Sequence, residues 1–414
     1  MSSVVKKRHV LYFTGFDPKG PAHYHRLYSQ EAQLQASLKG YAITVGPRLN
    51  HSPLATSWTV QFQADAKDDS ITTHTTYDFV RWDDVVRAHW TKHPWQIALH
   101  TLQTSWAYVY QGVAWHFLKY TWPAFLALFM PAALLVVCLV LALSSIALAL
   151  GWALAGANPL VAGLSSLLFI AILLLVLHTL DTRFHMSWLM RSFHFTRESM
   201  VGRAPDLQTR LDALANYLAQ LVMDSDADEI LLVGHSTGGG MAVSALARAW
   251  QRHHAQISLE RWQRVSLLTV GQWFPLLSLM REAKPMREEL ATVAFHFNTQ
   301  WVDISAPADG CCTALVDPLD AVRAIEAIDC PSPKLLSPRF QTLFSNQAYR
   351  ALKRDRFRLH FQYLMASPIA GHYDYFLITA GDKRLAKYFD ELSSVIGFTG
   401  ISLPFVRPKK ARAR

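Results

Sequence analysis

Between Tyr120 and Leu180 the chain has no Asp, Glu, Lys or Arg. That absence excludes an ordinary surface helix, which carries a polar face. A single bilayer crossing takes about 20 apolar residues, so the run is long enough for two. Cysteine is scarce as well, with four in 414 residues and no C-x-x-C pair. This usage argues against a disulfide framework and against a zinc site, and no metal or organic cofactor is expected. A secretory signal is also missing. The basic segment Met1 to His9 is followed only by the short apolar run Val10 to Phe16, which ends at Asp17-Pro18.

What the charge-free stretch does contain is two apolar runs, Pro123–Leu150 and Leu160–His178, separated by the turn-like Gly151 to Pro159. They read as a transmembrane hairpin. Arg81, Arg87, Lys92 and Lys119 precede it, Arg183, Arg191, Arg197 and Arg203 follow it, and its turn has no charge. The positive-inside rule then places both soluble parts in the cytoplasm. The expectation is an integral membrane protein, of a bacterial inner membrane, with the lipid bilayer as a partner. Aromatic residues crowd segments 95–122 and 181–198, as interfacial segments do. The net charge of +9 fits contact with anionic headgroups through Lys6-Lys7-Arg8 and the tail Arg407–Arg414. No recognition motif for nucleic acid accompanies these cations.

Outside the hairpin the chain alternates short apolar runs with helical patterns. His9–Phe13 reads as a strand and Ala22–Leu38 as a helix. Tyr41–Val45, Trp58–Phe62 and Thr76–Trp82 read as further strands. Pro205 opens a helix with Leu207, Leu211, Leu214, Leu218 and Leu221 on one face. Ser266–Val270 and Trp301–Ile304 follow as strands, and Arg358–Met365 alternates like a third. The expected organisation is a soluble α/β domain in two pieces, 1–94 and 199–400, around a membrane insertion at 95–198, with a basic tail at 401–414.

The most informative pattern is Ile230-Leu231-Leu232-Val233 followed by Gly234-His235-Ser236-Thr237-Gly238 and the small-residue stretch Gly239 to Trp250. A strand, a sharp turn carrying serine and a helix together make a hydroxyl nucleophilic. The turn strains the serine backbone, and the helix N-terminus offers unpaired N–H groups to an oxyanion. The glycines of a dinucleotide fold would read Gly-x-Gly-x-x-Gly, and a phosphate loop would carry a Lys after them; neither is present.

On these residues the chain resembles the α/β-hydrolase family, most specifically over 229–250 and more loosely over 8–45 and 265–395, but not over 95–200. The resemblance implies a mostly parallel sheet flanked by helices, here interrupted by the two-helix hairpin. It implies a serine hydrolase that cleaves an acyl ester or thioester through an acyl-enzyme on Ser236, and the hairpin and aromatic flanks add the expectation of a membrane-anchored enzyme with a lipophilic substrate. It also implies the chain order nucleophile, acid, histidine. His372, in the turn-rich Ser367–Tyr373, is the expected base, ahead of His360, which the pattern puts inside a strand. Asp309, in Pro307-Ala308-Asp309-Gly310, is the expected acid, with Asp303 and then Asp317 as alternatives. The oxyanion donors would be the N–H groups of Thr237 and Phe16; the His-Gly often found in the family's first loop is Thr14-Gly15-Phe16 here. The competing expectation is a hydrolase-like membrane scaffold or binding protein without turnover.

Overall fold

Arg8 and Glu229, two charges with no access to water, face each other across adjacent strands at 2.9 Å. They lie at the centre of a nine-stranded sheet in the computed structural model, which describes residues 4–65 and 68–395. The strands are β1 (Lys7–Phe13), β2 (Ala42–Val45), β3 (Leu49–Ser52), β4 (Ala55–Asp65), β5 (Asp68–Val80), β6 (Glu229–His235), β7 (Val265–Val270), β8 (Trp301–Ile304) and β9 (Lys334–Leu336). Their order is β2-β4-β5-β1-β6-β7-β8-β9, with β3 on the far side of β4. The run from β5 to β9 is parallel, and β4 is antiparallel to each of its partners.

Alternation within the central strands explains why both faces are covered. Leu11, Phe13, Ile230 and Leu232 point into one apolar core, and Val10, Tyr12, Leu231 and Val233 into the other. Helix α1 (Pro21–Lys39) covers the second face through Tyr24, Tyr28 and Ala32. The short α2 (Asp83–Ala88) follows β5. Five helices then leave the sheet and return: α3 (Pro94–Tyr110), α4 (Val113–Tyr120), α5 (Trp122–Leu154), α6 (Pro159–Phe184) and α7 (Met186–Met200). Helices α8 (Pro205–Asp224) and α9 (Thr237–His253) pack on the first face, with Leu207, Leu211, Leu214 and Leu218 buried as their spacing requires. Because β1 sits between β5 and β6, strands from both sides of the insertion build one sheet.

Helices α5 and α6 are each long and apolar enough to cross a bilayer. At 1.5 Å per residue they span about 50 and 39 Å. Val136, Leu139, Leu143 and Leu148 on α5 and Leu160, Leu164, Leu168 and Leu175 on α6 are exposed, and Leu154 is 81% exposed. A buried apolar side chain is worth about 1.5–3 kcal/mol over an exposed one, so such a surface is costly in water. Asn158 caps α6 through its side chain, and Ser145 meets Ser166 at 3.0 Å between the helices. The root of α5 differs. Ala124, Ala127 and Leu128 are buried in the first core with Trp82 and Trp273.

Two features differ from the sequence expectation. The aromatic flanks are mixed in character: Trp95, Trp106, Tyr110 and Trp115 are exposed, whereas Tyr108, Phe117, Phe193 and Phe195 are core residues. The expected strand at Arg358–Met365 is instead the helix Arg356–Phe361 and a 3-10 turn, Gln362–Leu364. Asp355 caps that helix through the Arg358 N–H at 2.9 Å, and β9, unmarked in the pattern, takes the place beside β8. The tail beyond residue 400 lies outside the described residues.

Candidate active site

Strand β6 is buried along its whole length, and Ser236 follows it with φ 56° and ψ −127° before α9 begins at Thr237. A serine at positive φ is strained, and only close packing on all sides holds it there. That packing excludes side chains. A Cβ at Gly238 would collide with the carbonyl oxygens of Phe13 and Thr14, and one at Gly15 would lie 3.0 Å from the Ser236 Cβ and 3.5 Å from its Oγ. The loop after β1 therefore runs directly beside the serine, which is 7% exposed.

The other half of the site comes from the loop after β8 and the short helix Arg356–Phe361. Asp309 is fully buried and accepts from His360 Nδ1 at 2.8 Å. Its carboxylate also accepts from the Cys311 N–H at 2.8 Å and the Tyr363 hydroxyl at 3.1 Å. Burial alone would raise this acid's pKa, but the His360 charge and hydrogen bond, with these two donors, hold it below the ordinary value. His360 Nδ1 is thus occupied, and its Nε2 is buried with no hydrogen-bond partner among the described residues, Ser236 Oγ included.

The pair is tied to the elbow by the elbow's own histidine. His235 Nε2 donates to the His360 carbonyl at 3.0 Å, and the two rings lie 4.9 Å apart. Burial, reinforced by the neighbouring His360, pushes the His235 pKa down to about 3, so it stays neutral. Tyr363 is fixed in turn by the Ala306 N–H at 2.8 Å, and its ring fills the space where Gly271, at φ +55°, has no Cβ. Among the described residues Asp309, Cys311 and His360 are also close enough to share a metal ion. Two of those three groups are already bonded to each other, and burial raises the Cys311 thiol well above its usual pKa, which disfavours the thiolate a metal needs.

No family model, curated protein or solved structure matches this chain. The site has therefore to be read from its own geometry. That geometry leaves one expected residue apart from the others. His372 is exposed, in the loop ahead of Asp374, and no carboxylate pairs with it among the described residues. The imidazole that meets Asp309 belongs to His360, because residues 356–361 coil into a helix whose buried face turns toward the elbow. Asp303 points elsewhere. It accepts from Thr269 Oγ1, Gln272 Nε2 and Ser305 Oγ, and burial lifts its pKa to about 7. Asp317 is paired with Arg323 at 2.6 Å.

Tyr363 was not expected to contribute, and no spacing in the sequence marks it; His235 lies inside the Gly234–Gly238 motif, but its bond to the His360 carbonyl joins residues 125 positions apart. A signal for His360 was present in Asp355, a capping residue that opens a helix three positions before Arg358.

Helix α7, returning from the hairpin, roofs this arrangement. Thr196 Oγ1 meets Thr237 Oγ1 at 3.0 Å, Phe195 stacks on Phe16 at 4.7 Å, and the Trp188 ring lies 6.4 Å from that of His360. At the other root, the Pro123 carbonyl abuts Gly310, next to Asp309. Both expected oxyanion residues, Thr237 and Phe16, thus lie under side chains of the insertion. The Thr237 N–H is the first amide of α9, one of the four that a helix leaves without an internal acceptor.

Proposed function

We infer that the chain is a serine hydrolase of the α/β-hydrolase type, anchored in a membrane by α5 and α6 and acting on an acyl ester or thioester of a lipophilic substrate. One juxtaposition carries the reading. A strained serine between strand and helix shares its elbow with a histidine bonded to the carbonyl of His360, whose Nδ1 is held by a buried aspartate. The parts follow in the order serine after β6, acid after β8 and histidine after β9, the order expected of such hydrolases.

In this mechanism Ser236 Oγ attacks the acyl carbonyl carbon as its proton passes to His360 Nε2. Asp309 stabilises the imidazolium and keeps Nε2 free to accept. The N–H groups of Thr237 and Phe16 receive the oxyanion. Collapse of the tetrahedral species expels the alcohol or thiol, which takes the proton from His360. Water then attacks the acyl-serine as His360 accepts its proton, and on collapse that proton passes to Ser236 Oγ as the carboxylic acid leaves. The flanking cations favour placing the soluble domain on the cytoplasmic side.

A fluorophosphonate probe tests the reading on the full chain in detergent. Expected are labelling of wild type, none of Ser236→Ala or His360→Ala, and wild-type labelling of His372→Ala. Folded protein that takes no label favours the inactive scaffold instead.

A further inference from the structure

Two cavities adjoin where the hairpin meets the soluble domain, and the hydrolytic chemistry uses neither. The first, about 580 Å³, lies among α3, α5, α6 and α7. Its walls are mostly apolar, with Ile97, Leu135, Leu174 and Leu177 among them, and Lys92 and Arg191 also line it. The second, about 600 Å³, lies between the segment leading into α3 and α7. It is lined by Arg87, Lys92 and Arg203, by four histidines, and by a single carboxylate, Glu198. Lys92 belongs to both cavities. Arg191, from the apolar one, donates to the carbonyl of Thr91, from the cationic one, at 2.6 Å.

Most cations around this junction are already paired, Arg203 with Glu282 at 3.5 Å among them, and Lys92 is the exception. Glu198 already faces Arg197 at 2.5 Å and Arg203 at 3.9 Å. Asp181, at the apolar cavity, accepts from the Ser187 N–H and hydroxyl. Arg87 is held by Asp83, and His89 by Asp206. Lys92 is exposed and forms no ion pair among the described residues. His100 and His194 stack at 4.0 Å, and burial, with His100 beside it, lowers the His194 pKa to about 4. Those rings are therefore neutral hydrogen-bonding groups beside a cationic rim. An apolar hollow at the root of a membrane hairpin that shares Lys92 with a polar hollow matches an amphipathic anion.

We propose that the paired cavities bind one anionic phospholipid, its acyl chain in the apolar hollow and its phosphate against Lys92, the cation common to both. The proposal rests on α5 and α6 lying in a bilayer. Its position bears on the active site. Trp90 and Phe195 line the cationic hollow, and both stack on Phe16, at 5.6 and 4.7 Å, in the loop beside Ser236. The headgroup therefore sits one layer of rings away from the elbow.

Native mass spectrometry of the full chain in detergent, titrated with dioleoylphosphatidylglycerol, dioleoylphosphatidylcholine or sn-glycerol 3-phosphate, tests this. Expected is about fivefold tighter binding of the phosphatidylglycerol than of the phosphatidylcholine, since one unpaired cation near a headgroup contributes a factor of about five. Lys92→Ala or Lys92→Glu, at an exposed side chain, should abolish that preference. Ala98→Trp, which fills the apolar hollow, should weaken both lipids. Equal binding of the two lipids, or a preference that survives the charge variants, overturns the proposal. So does glycerol phosphate binding as tightly as the lipid, which would make the ligand a soluble phosphate. Vesicle flotation separates the two levels. Failure to float with pure phosphatidylcholine removes the membrane reading and the lipid site together, whereas flotation without phosphatidylglycerol preference overturns the lipid site alone.

Discussion

Replacing Asp309 with Asn changes one atom and should nearly abolish turnover, for a reason visible in its partners. One carboxylate oxygen accepts from the Cys311 N–H, and the other from both His360 Nδ1 and the Tyr363 hydroxyl. An Asn side chain must keep its carbonyl toward the fixed backbone N–H of Cys311. Its NH2 group then faces His360 Nδ1, which can only become the acceptor. The imidazole proton moves to Nε2, the atom that must take the serine proton. The Tyr363 hydroxyl cannot relieve the conflict, because it already accepts from the Ala306 N–H and would meet a second donor. A triad held in the wrong tautomer loses about 10⁴ in kcat, or about 5.5 kcal/mol of barrier. The assay is the rate of fluorophosphonate labelling or of p-nitrophenyl butyrate hydrolysis by the full chain in detergent, with the melting temperature as a check on folding. A folded Asp309→Asn variant within tenfold of wild type would refute the tautomer argument. Asp303→Asn, whose carboxylate meets no histidine, is the matched control.

The remaining expectations concern stability and insertion. Arg8→Ala strands Glu229 in the core, where its other partners are Ser266 Oγ and the Leu385 N–H; the loss should be about 3–5 kcal/mol, read as a lower melting temperature. Asp303 carries a raised pKa of about 7, so the folded chain keeps a proton that the unfolded chain releases near 4. Its contribution to stability therefore falls as pH rises between those values. The melting temperature of Asp303→Asn relative to wild type should climb from pH 5 to pH 8, and a flat difference contradicts the assignment. Leu143→Arg places a charge on the exposed face of α5 at a cost of about 2.5–3.5 kcal/mol for insertion. A lower membrane-resistant fraction after carbonate extraction would register it, and unchanged extraction would count against a bilayer around that helix.

Much of the fold was legible because its signals are local. The apolar run before Gly234, the small residues after Ser236 and the heptad-like leucines of α8 each specify an element without reference to the rest of the chain. The helices Trp122–Leu154 and Pro159–Phe184 exceed the expected spans by a few residues at most ends, since helical geometry continues past the apolar limit. Where periodicity was ambiguous the reading failed. Phe357, Leu359, Phe361 and Tyr363 alternate as a strand would, yet the cap at Asp355 and the occupation of the sheet position by β9 make that segment helical. That single difference moved the imidazole facing Asp309 from His372 to His360.

The sequence by itself determined that a serine sits in a strand–turn–helix elbow and that an uncharged hairpin interrupts the chain before it. Both follow from composition over a few neighbouring residues. Only the tertiary structure decided which histidine meets Asp309, that His235 tethers it, and that α7 covers Phe16 and Thr237. Those contacts join residues 41 to 179 positions apart, brought together by the packing of helices onto the sheet. No local pattern encodes such distances, because many arrangements of the same elements would satisfy it equally well.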